Sequence, residues 1–254
     1  MTMKNNRRHI IIPDVQARPG HSFGFLEAVG NYIAEKKPDV IVQIGDFADM
    51  ASLSSYDKGK KSFEGRRYKK DIEASMNAMN KLMFPIDIAM KENQDWAPRL
   101  ILTLGNHENR INRAVEDSPQ LDGVIGTSDL QYDDWGWEVH PFLVPVCVDG
   151  VVYCHYFVSG PMGRAVGTAQ RLIATKHQTV VAGHQQGRQI ATGFKADGSQ
   201  ITAIIAGSCY EHDEDYMGPQ ANKHWRGIVV LNEVKNGSAD EMFVSLSFLK
   251  KKYL

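Results

Sequence analysis

Three short apolar runs in the first half of the chain each end at a polar residue, and this pattern restricts the fold most. Such runs are typical of strands that are buried on both faces. A helical period from Phe23 to Lys36 separates the first two, which predicts parallel strands joined by right-handed crossovers. Because the carboxyl ends of such strands share one sheet edge, we expect Asp14 and Asp46 to lie close together. The runs and the residues that follow them are 9–13 with Asp14, 40–44 with Gly45 and Asp46, and 99–104 with Gly105, Asn106 and His107.

The residues at these strand ends are candidates for metal binding and acid catalysis. Asp14 and Gln16 stand two positions apart, so in an extended chain both side chains point the same way and can share one cation. The alternative is an Asx turn that closes the strand. The Asn106 amide oxygen can bind a hard cation, and the His107 imidazole beside it can donate a proton. The alternative there is a helix capped by Asn106, with His107 merely exposed.

The second half of the chain carries three hairpin signals, in which β-rich segments flank an Asp-Gly or Asn-Gly pair. They predict a largely antiparallel sheet that shares one core with the parallel sheet, so we expect a single domain over residues 1–254. A helix is predicted for 165–176. The hairpin segments are 144–155, 193–205 and 229–237.

Two histidines of this half follow β-type runs. His155 comes directly after 151–154, and His184 follows 178–183, with Gln186 two positions further on. Either histidine alone favours a structural role, because most histidines are not ligands. Together with the polar strand ends of the first half, they favour a metal cluster. The histidines that lack this pattern are expected to be structural: His9, His21, His140, His177, His212 and His224.

A basic segment at 58–70 contains seven lysines and arginines, opposed only by Glu64, and Tyr56, Phe63 and Tyr68 are interleaved with it. This composition favours a flap that binds phosphates and stacks bases. The alternative is solvated surface, the usual state of charge runs. The candidates for substrate binding in this flap are Lys60, Lys61, Arg66 and Arg67.

The segments after the flap give two further expectations. A methionine-rich helical period runs to Ile86 and is expected to pack in the core, and Pro85 should kink or end that helix. The stretch 116–137 lacks periodicity, which predicts a long surface loop.

Charge and cysteine content restrict the class of protein. The net charge of −1 argues against wholesale binding of nucleic acid but permits a local basic patch. Three cysteines without metal-type spacing indicate neither a disulfide framework nor a zinc site and fit a reducing cytosol. The apolar stretch after the basic start is too short for a signal peptide, and no run reaches transmembrane length. We expect a soluble, cytoplasmic protein without a membrane partner.

Taken together, these segments resemble the calcineurin-like metallophosphoesterase family, whose blocks are Asp-x-His, Gly-Asp-x-x, Gly-Asn-His-Glu/Asp, a lone His and Gly-His-x-His. The resemblance implies an α/β four-layer sandwich of two mixed β-sheets flanked by helices, with two divalent metal ions at the sheet edge. The corresponding residues, in the same order, are Asp14-Val-Gln16, Gly45-Asp46-Phe-Ala-Asp49, Gly105-Asn106-His107-Glu108, His155 and Gly183-His184-Gln-Gln186.

The same resemblance implies roles for individual residues. A metal-bound hydroxide would attack phosphorus, and His107 would protonate the leaving oxygen or hold the phosphate. Asp46 would bridge the two metals, which makes it, with His107, a catalytic residue. Arg18, Asp49 and Arg110 are further candidates for contacts around the phosphate. The first metal would take Asp14, Gln16, Asp46 and Gln186, and the second would take Asp46, Asn106, His155 and His184.

The first metal site departs from the family pattern, because Gln16 and Gln186 replace its two histidines. Oxygen donors remain, and these suit Mn²⁺ or Mg²⁺ better than zinc or iron. We therefore expect two divalent cations, with Mn²⁺ as the first choice and Mg²⁺, Zn²⁺ or iron as alternatives. The rival interpretation is a degenerate protein that binds one metal.

The predicted function is a dinuclear metal-dependent phosphoesterase, a hydrolase acting on phosphodiesters such as DNA or RNA and thus a nuclease candidate. One alternative is a phosphomonoesterase or protein phosphatase, although the Asp-Arg-Gly triplet of the Ser/Thr phosphatases is absent here, where Ala48, Asp49 and Met50 stand. The other alternative is a nucleic-acid-binding or partner-binding module that retains the fold without catalysis.

Overall fold

Two β-sheets lie at the centre of the protein, whose computed structural model describes residues 6–214 and 218–254. In chain order, the strands of these residues are β1 (Arg7–Ile12), β2 (Val40–Gln43), β3 (Arg99–Thr103), β4 (Glu138–His140), β5 (Val146–Val148), β6 (Val151–Cys154), β7 (Val158–Ser159), β8 (Arg164–Ala165), β9 (Val180–Ala182), β10 (Gln189–Phe194), β11 (Gln200–Ile205), β12 (Gly227–Lys235) and β13 (Ser238–Ser245). The helices are α1 (Gly24–Lys36), α2 (Tyr68–Glu92), α3 (Asn109–Asp117), α4 (Ala169–Lys176), α5 (Gly218–Ala221) and α6 (Leu246–Tyr253). Short 3-10 helices cover Ala51–Leu53, Lys61–Phe63, Pro119–Leu121, Thr127–Leu130 and Asp133–Trp135.

The first sheet has the strand order β13-β12-β1-β2-β3-β4. β1 to β4 run parallel, with Ile10 opposite Ile41 and Ile41 opposite Leu100. The predicted succession of buried parallel strands is therefore confirmed, and α1 and α2 form its crossovers. The hairpin of β12 and β13 joins this sheet, because β12 pairs antiparallel with β1.

Alternating side chains of the first sheet enter two different cores. Ile10 and Ile12 pack in a core with Leu26 of α1, whereas Ile11 packs in a core with Val181 of β9. Successive strand residues point to opposite faces, so a strand covered on both faces must be apolar throughout. Each of these isoleucines is fully buried, which stabilises the fold by roughly 1.5–3 kcal/mol per side chain.

The second sheet has the order β10-β11-β9-β6-β5. The hairpins β5–β6 and β10–β11 are antiparallel, as predicted, but β9 lies between them and runs parallel to both of its neighbours. The expectation of a largely antiparallel second sheet is thus wrong. The reason is that α4 returns the chain across the sheet and places β9 beside β6 in the same direction.

The helices cover the outer faces of both sheets. Residues of α1, α2 and α6 share the core on one side of the first sheet, and α4 packs through Ala169 and Leu172 on the outer face of the second sheet. The packing order is helices, sheet, sheet, helix. This agrees with the predicted α/β sandwich of two mixed sheets flanked by helices.

Pro85 lies inside α2, which continues to Glu92, so of the two predicted outcomes, a kink or an end of the helix, the end is wrong. An internal proline removes one helical hydrogen bond and crowds the preceding turn. Its buried ring packs where α1 and α2 cross, because a Cβ at Gly30 would lie 2.5 Å from Pro85 Cγ and 2.3 Å from the Leu82 oxygen. Met79 and Met83 of the methionine-rich period are fully buried in the core as expected, whereas Met76 is 38% exposed, so core packing is wrong for that methionine.

The stretch 116–137 is more ordered than the predicted surface loop. It contains three 3-10 helices, and Leu130, Tyr132 and Trp137 are buried in the core beneath α2. β4 follows and extends the first sheet. The stretch therefore completes the sheet edge near Asn106 and His107.

Within the part of the chain that the structure describes, no helix is both long and apolar enough to cross a bilayer.

Candidate metal centre and cleft

Five strands deliver polar residues to one edge of the sandwich. In the first sheet, Asp14 follows β1, Asp46 follows β2, and Asn106 and His107 follow β3. In the second sheet, His155 follows β6 and His184 follows β9. Parallel strands place their carboxyl ends at the same edge, so two parallel sets of strands direct these side chains toward each other. The polar residues that follow these five strands in the sequence therefore lie close together in the structure.

Asp46, His155 and His184 each place a ligand atom within 4.8 Å of the others. His155 Nδ1 lies 3.0 Å from the Ile44 carbonyl oxygen and donates to it, which leaves Nε2 toward the cluster. That nitrogen faces two acceptors, Asn106 Oδ1 at 3.0 Å and Asp46 Oδ2 at 3.3 Å. A nitrogen lone pair and two oxygens converge only around a proton or a cation, and these donor types suit a divalent metal.

Two buried oxygens of the predicted first site have no hydrogen-bond partner, and they are Asp14 Oδ2 and Gln16 Oε1. Asp14 Oδ1 is satisfied by the backbone N–H of His184 at 3.1 Å. Burial raises the pKa of Asp14 to about 7. Unpaired buried acceptors are costly and rare in proteins, whereas a hard cation would satisfy both oxygens. These residues therefore fit a metal ion.

Burial and neighbouring charges shift the pKa values of the cluster in different directions. Burial alone would raise the pKa of Asp46, but the charges of His107 and His155 lower it below its usual range. Burial lowers the pKa of His155, yet attraction to Asp46 outweighs it and raises the value to about 9. Burial, together with the positive charge of His155, lowers the pKa of His184 to about 4. His184 is thus the imidazole that is neutral and ready to bind a metal near neutral pH.

Gly105 allows the two strand-end loops of the first sheet to approach each other. A Cβ at this position would lie 2.1 Å from Asp46 Oδ1 and 2.2 Å from the Asp46 backbone nitrogen. No side chain fits in this space. The glycine that precedes Asn106 is therefore required for the position of the Asp46 carboxylate.

Glu108 fixes the backbone around Asp46, a role that the sequence pattern did not reveal. The buried carboxylate accepts hydrogen bonds from the N–H groups of Asp46 at 3.0 Å, Ala48 at 2.8 Å and Gly105 at 2.8 Å. Asp46 itself has a positive φ of 52°, a conformation that costs energy in a non-glycine residue. The three hydrogen bonds hold the loop in this conformation.

His107 is paired with Asp49 beside the cluster. His107 Nδ1 lies 2.8 Å from Asp49 Oδ1, and Nε2 lies 3.7 Å from Asp46 Oδ2 and 3.1 Å from Arg110 Nη2. Burial lowers the pKa of His107, but Asp46 and the Asp49 hydrogen bond raise it to a net value above that of free imidazole. Burial opposes the ionised form of Asp49, yet the neighbouring His107 and Arg18 lower its pKa well below the usual range. The Asp49 carboxylate thus orients the ring, and Nε2 accepts from Arg110 Nη2 when the ring is neutral.

The remaining predicted ligands and phosphate contacts lie around this cluster. Gln186 Oε1 accepts a hydrogen bond from the Tyr210 hydroxyl at 2.6 Å, so its role as a metal ligand stays a prediction. Arg18 Nε lies 3.0 Å from Asp49 Oδ2. Arg110 donates to the Asp49 carbonyl oxygen at 2.8 Å. Both arginines therefore contact the residue that holds His107.

A cleft of about 860 Å³ opens in front of the cluster. Asn106, His107 and His184 line this cleft together with Lys60, Arg66, Arg67 and Lys70 of the basic segment. Lys61 is not among the described lining residues, so the structure does not bring this candidate to the cleft. Some basic residues of the segment line the cleft and others do not, and phosphate binding by this segment stays a prediction.

The cations of the cleft wall differ in their freedom to bind a ligand. Arg66 donates to Asp57 Oδ2 and to the Ala51 oxygen, at 2.8 and 3.0 Å, and Lys60 pairs with Asp57 at 2.9 Å. Arg67 donates to the Arg66 carbonyl oxygen, and Lys70 is exposed. Asp57 offsets the charges of Lys60 and Arg66. Among the described contacts it forms no ion pair with Arg67 or Lys70, so these two cations can bind an anionic ligand.

No family model matches the chain. The chain is similar to the Gene 54 protein of Mycobacterium phage L5, with 28% identity over 141 residues, which are 54% of this chain and 51% of that protein. The chain thus spans about half the length of this curated relative. A solved crystal structure aligns over 94% of this chain and 100% of its own, with 11% identity and a TM-score of 0.37. The function of the chain is therefore inferred from the residues of the cluster and the cleft.

Proposed function

We propose that the protein is a metallophosphoesterase-type hydrolase that uses two divalent cations to hydrolyse phosphodiesters, with nucleic acid as the substrate class. The observation that carries the proposal is the convergence of Asp46, His155 and His184 beside the unpaired oxygens of Asp14 and Gln16. Structural histidines do not require buried carboxylate oxygens without partners. A pair of adjacent cation sites accounts for both.

The residues divide between two cation positions that share Asp46. His155, His184 and Asn106 would hold one cation, and Asp14 and Gln16 would hold the other, which Gln186 would join if its amide turned from Tyr210. When bound, divalent cations supply Lewis acidity toward a phosphoryl oxygen and lower the pKa of water. Mn²⁺ is the cation that best fits a site with oxygen donors next to a site with imidazole donors.

His107 supplies the proton in this proposal. Its Nδ1 is held by Asp49, so Nε2 is the atom that donates to the leaving oxygen or to the phosphate. The raised pKa of His107 keeps the ring protonated in a larger fraction of molecules at neutral pH. Before cations bind, His107 is thus the group that this chain places to act as the acid.

The proposed substrate class follows from the basic and aromatic residues that line the cleft. A phosphodiester chain carries further phosphates on both sides of the bond that is cut, and Arg67 and Lys70 lie where such phosphates would pass. Tyr56 also lines the cleft and is 78% exposed, which leaves an aromatic face available for a base. A small phosphomonoester would use none of these groups.

The first test is hydrolysis by the purified chain of bis-p-nitrophenyl phosphate and of p-nitrophenyl phosphate, with Mn²⁺, Mg²⁺, Zn²⁺ and Fe²⁺ in turn. We expect metal-dependent turnover with preference for the diester and for Mn²⁺. Preference for the monoester would favour a phosphomonoesterase or protein phosphatase. Oligonucleotide binding without turnover under any metal would contradict the enzyme and favour a binding module.

His107→Ala should lower turnover by on the order of 10²-fold or more on diesters with poor leaving groups, the usual scale for a general acid. Metal content should stay at the wild-type level, because His107 is not among the proposed ligands. His177→Ala is the matched control, since His177 is exposed at the far end of α4. An unchanged rate on a poor leaving group would remove His107 from the mechanism.

A further inference from the structure

Arg18 and Glu214 continue the contacts of His107 away from the cluster. Asp49 uses Oδ1 for His107 and presents Oδ2 to Arg18 Nε at 3.0 Å. Arg18 Nη2 forms an ion pair with Glu214 Oε1. These contacts therefore form a line of four side chains, which runs from the His107 imidazole to the Glu214 carboxylate by way of Asp49 and Arg18.

Glu214 is held firmly, although it lies in a loop. It is 5% exposed, its backbone N–H donates to Asn222 Oδ1 at 2.8 Å, and the Asn222 amide donates to its carbonyl oxygen at 2.9 Å. His212 Nε2 contacts Glu214 Oε1 at 2.9 Å, and the His212 ring stacks on Tyr210 at 4.4 Å. Asn222 thus fixes the backbone of Glu214 and His212 contacts its carboxylate, which makes Glu214 a suitable anchor for the arginine.

The charges along this line explain why the anchor is needed. Arg18 is largely buried, with 21% of its side chain exposed, and Asp49 is more buried still at 7%. A buried cation between two buried carboxylates is compensated, whereas removal of one carboxylate leaves the guanidinium free to turn into the cleft. The Asp49 carboxylate would then lose the ion pair at Oδ2, which attracts this oxygen by charge and without a hydrogen bond. Oδ1 would be freer to turn away from His107.

We propose that Arg18 and Glu214 are positioning residues, which act through Asp49 to hold His107 in the orientation needed for proton transfer. This inference depends on the proposed phosphoesterase function and deepens it. It also changes the role of Arg18, which contacts two carboxylates rather than standing free for the phosphate. A group that acts through the general acid matters only where proton donation limits the rate.

The experiment compares aryl phosphodiesters whose leaving groups range from p-nitrophenol to phenol, for wild type, Glu214→Gln, Arg18→Gln and Arg18→Lys. Each change is also made in a His107→Ala background, which gives a double-mutant cycle. Glu211→Gln is the matched control, because Glu211 lies in the same loop and pairs with Lys250 instead. Thermal unfolding and bound metal are measured for every variant, and Arg18→Lys serves if Glu214→Gln does not fold.

We expect Glu214→Gln and Arg18→Gln to lose on the order of 10-fold to 100-fold in kcat on the phenyl diester, the scale of a misplaced catalytic group. On the p-nitrophenyl diester the loss should stay within about twofold, and in the His107→Ala background it should vanish. Arg18→Lys should recover only part of the rate, because lysine cannot contact two carboxylates in the same geometry. Glu211→Gln should behave like wild type.

Two results would overturn the inference while leaving the phosphoesterase in place. An equal loss on all diesters, with a raised KM, would mean that Arg18 binds the phosphate directly. A loss that persists undiminished without His107 would mean that the pair supports the site as a whole. Wild type that hydrolyses none of the diesters would instead contradict the proposed function and the inference together.

Discussion

Asp46 is the residue on which both cation positions depend. One oxygen accepts from the His107 backbone N–H at 2.8 Å, and the other faces His155 Nε2. Asp46→Asn keeps the shape and removes the charge, so we expect loss of bound metal at both positions and a fall in turnover of at least about 10²-fold. Elemental analysis of the purified protein measures the metal. Asp197→Asn, in an exposed turn, is the control, and two tightly bound ions in the Asp46 variant would show that the assignment is wrong.

The two glutamines of the proposed first site should respond differently to substitution by histidine. Gln16 Oε1 is buried without a partner, so Gln16→His should tighten this site and shift its preference toward zinc. Gln186 already accepts from Tyr210, so Gln186→His should change metal affinity less unless Tyr210→Phe frees the position. Calorimetric titration with Mn²⁺ and Zn²⁺ measures both. Equal effects of the two single variants would mean that the Tyr210 hydrogen bond does not restrain Gln186.

Sequence reasoning found the metal-binding candidates but not the residues that hold them. The candidates follow strands, and a strand end is visible as an apolar run that stops. Glu108 belongs to the Gly-Asn-His-Glu block, but its hydrogen bonds to the Asp46 loop are visible only in the fold. Glu214 belongs to no pattern, because one carboxylate in a loop looks like any other until the fold gives it partners. The expectation that residues two positions apart point the same way holds only for extended chain. Gln16 and His184 have φ values of 48° and 64° and are not extended.

Some basic residues of the segment 58–70 line the cleft and others do not, so substitution of the second group is a control for substitution of the first. Replacing the cleft-lining Lys60, Arg67 and Lys70 by glutamine should weaken oligonucleotide binding and reduce the slope of log K against log salt by about 2–3, nearly one per phosphate contact. Replacing Lys58, Lys61 and Lys69 removes the same charge outside the cleft and should change the slope much less. Fluorescence anisotropy at several salt concentrations measures both triple variants. Identical slopes would restore the solvated-surface interpretation.

At the level of elements, local patterns predicted what is local and failed where partners are distant. The strands β1, β2 and β3, the helix α1 and the hairpins β5–β6, β10–β11 and β12–β13 are visible in the sequence because their periodicity and turns are contained within short segments. The antiparallel pair of β7 and β8 was not predicted. The hairpin of β12 and β13 could not be assigned to a sheet, since its neighbour β1 lies at the other end of the chain. β4 has three residues, none of them buried, so it carries no apolar signal.

At the level of the whole molecule, the proposed metal centre joins the two sheets. Asp46 and Asn106 come from the first sheet, and His155 and His184 come from the second. A cation that binds only the folded state should therefore stabilise it, by about 2.7 kcal/mol when free metal is at 100 times Kd. For a chain of this length, this is roughly 5–10 °C in Tm. Differential scanning fluorimetry with Mn²⁺ and then with excess chelator measures the shift, which the chelator should reverse.

A hydrogen bond between the two sheets provides a control that distinguishes the Tm rise caused by Mn²⁺ from a change in the stability of the fold itself. His9 of β1 is fully buried and hydrogen-bonds the Tyr153 hydroxyl of β6 at 2.6 Å. Tyr153→Phe leaves the imidazole without this partner and should lower stability by about 1–3 kcal/mol, yet its Tm should still rise with Mn²⁺ as in wild type. Asp46→Asn should lose the rise. If the Tm of Asp46→Asn still rose with Mn²⁺, the cation would stabilise the protein from some other position. The proposed site needs the Asp46 carboxylate, which both cation positions share.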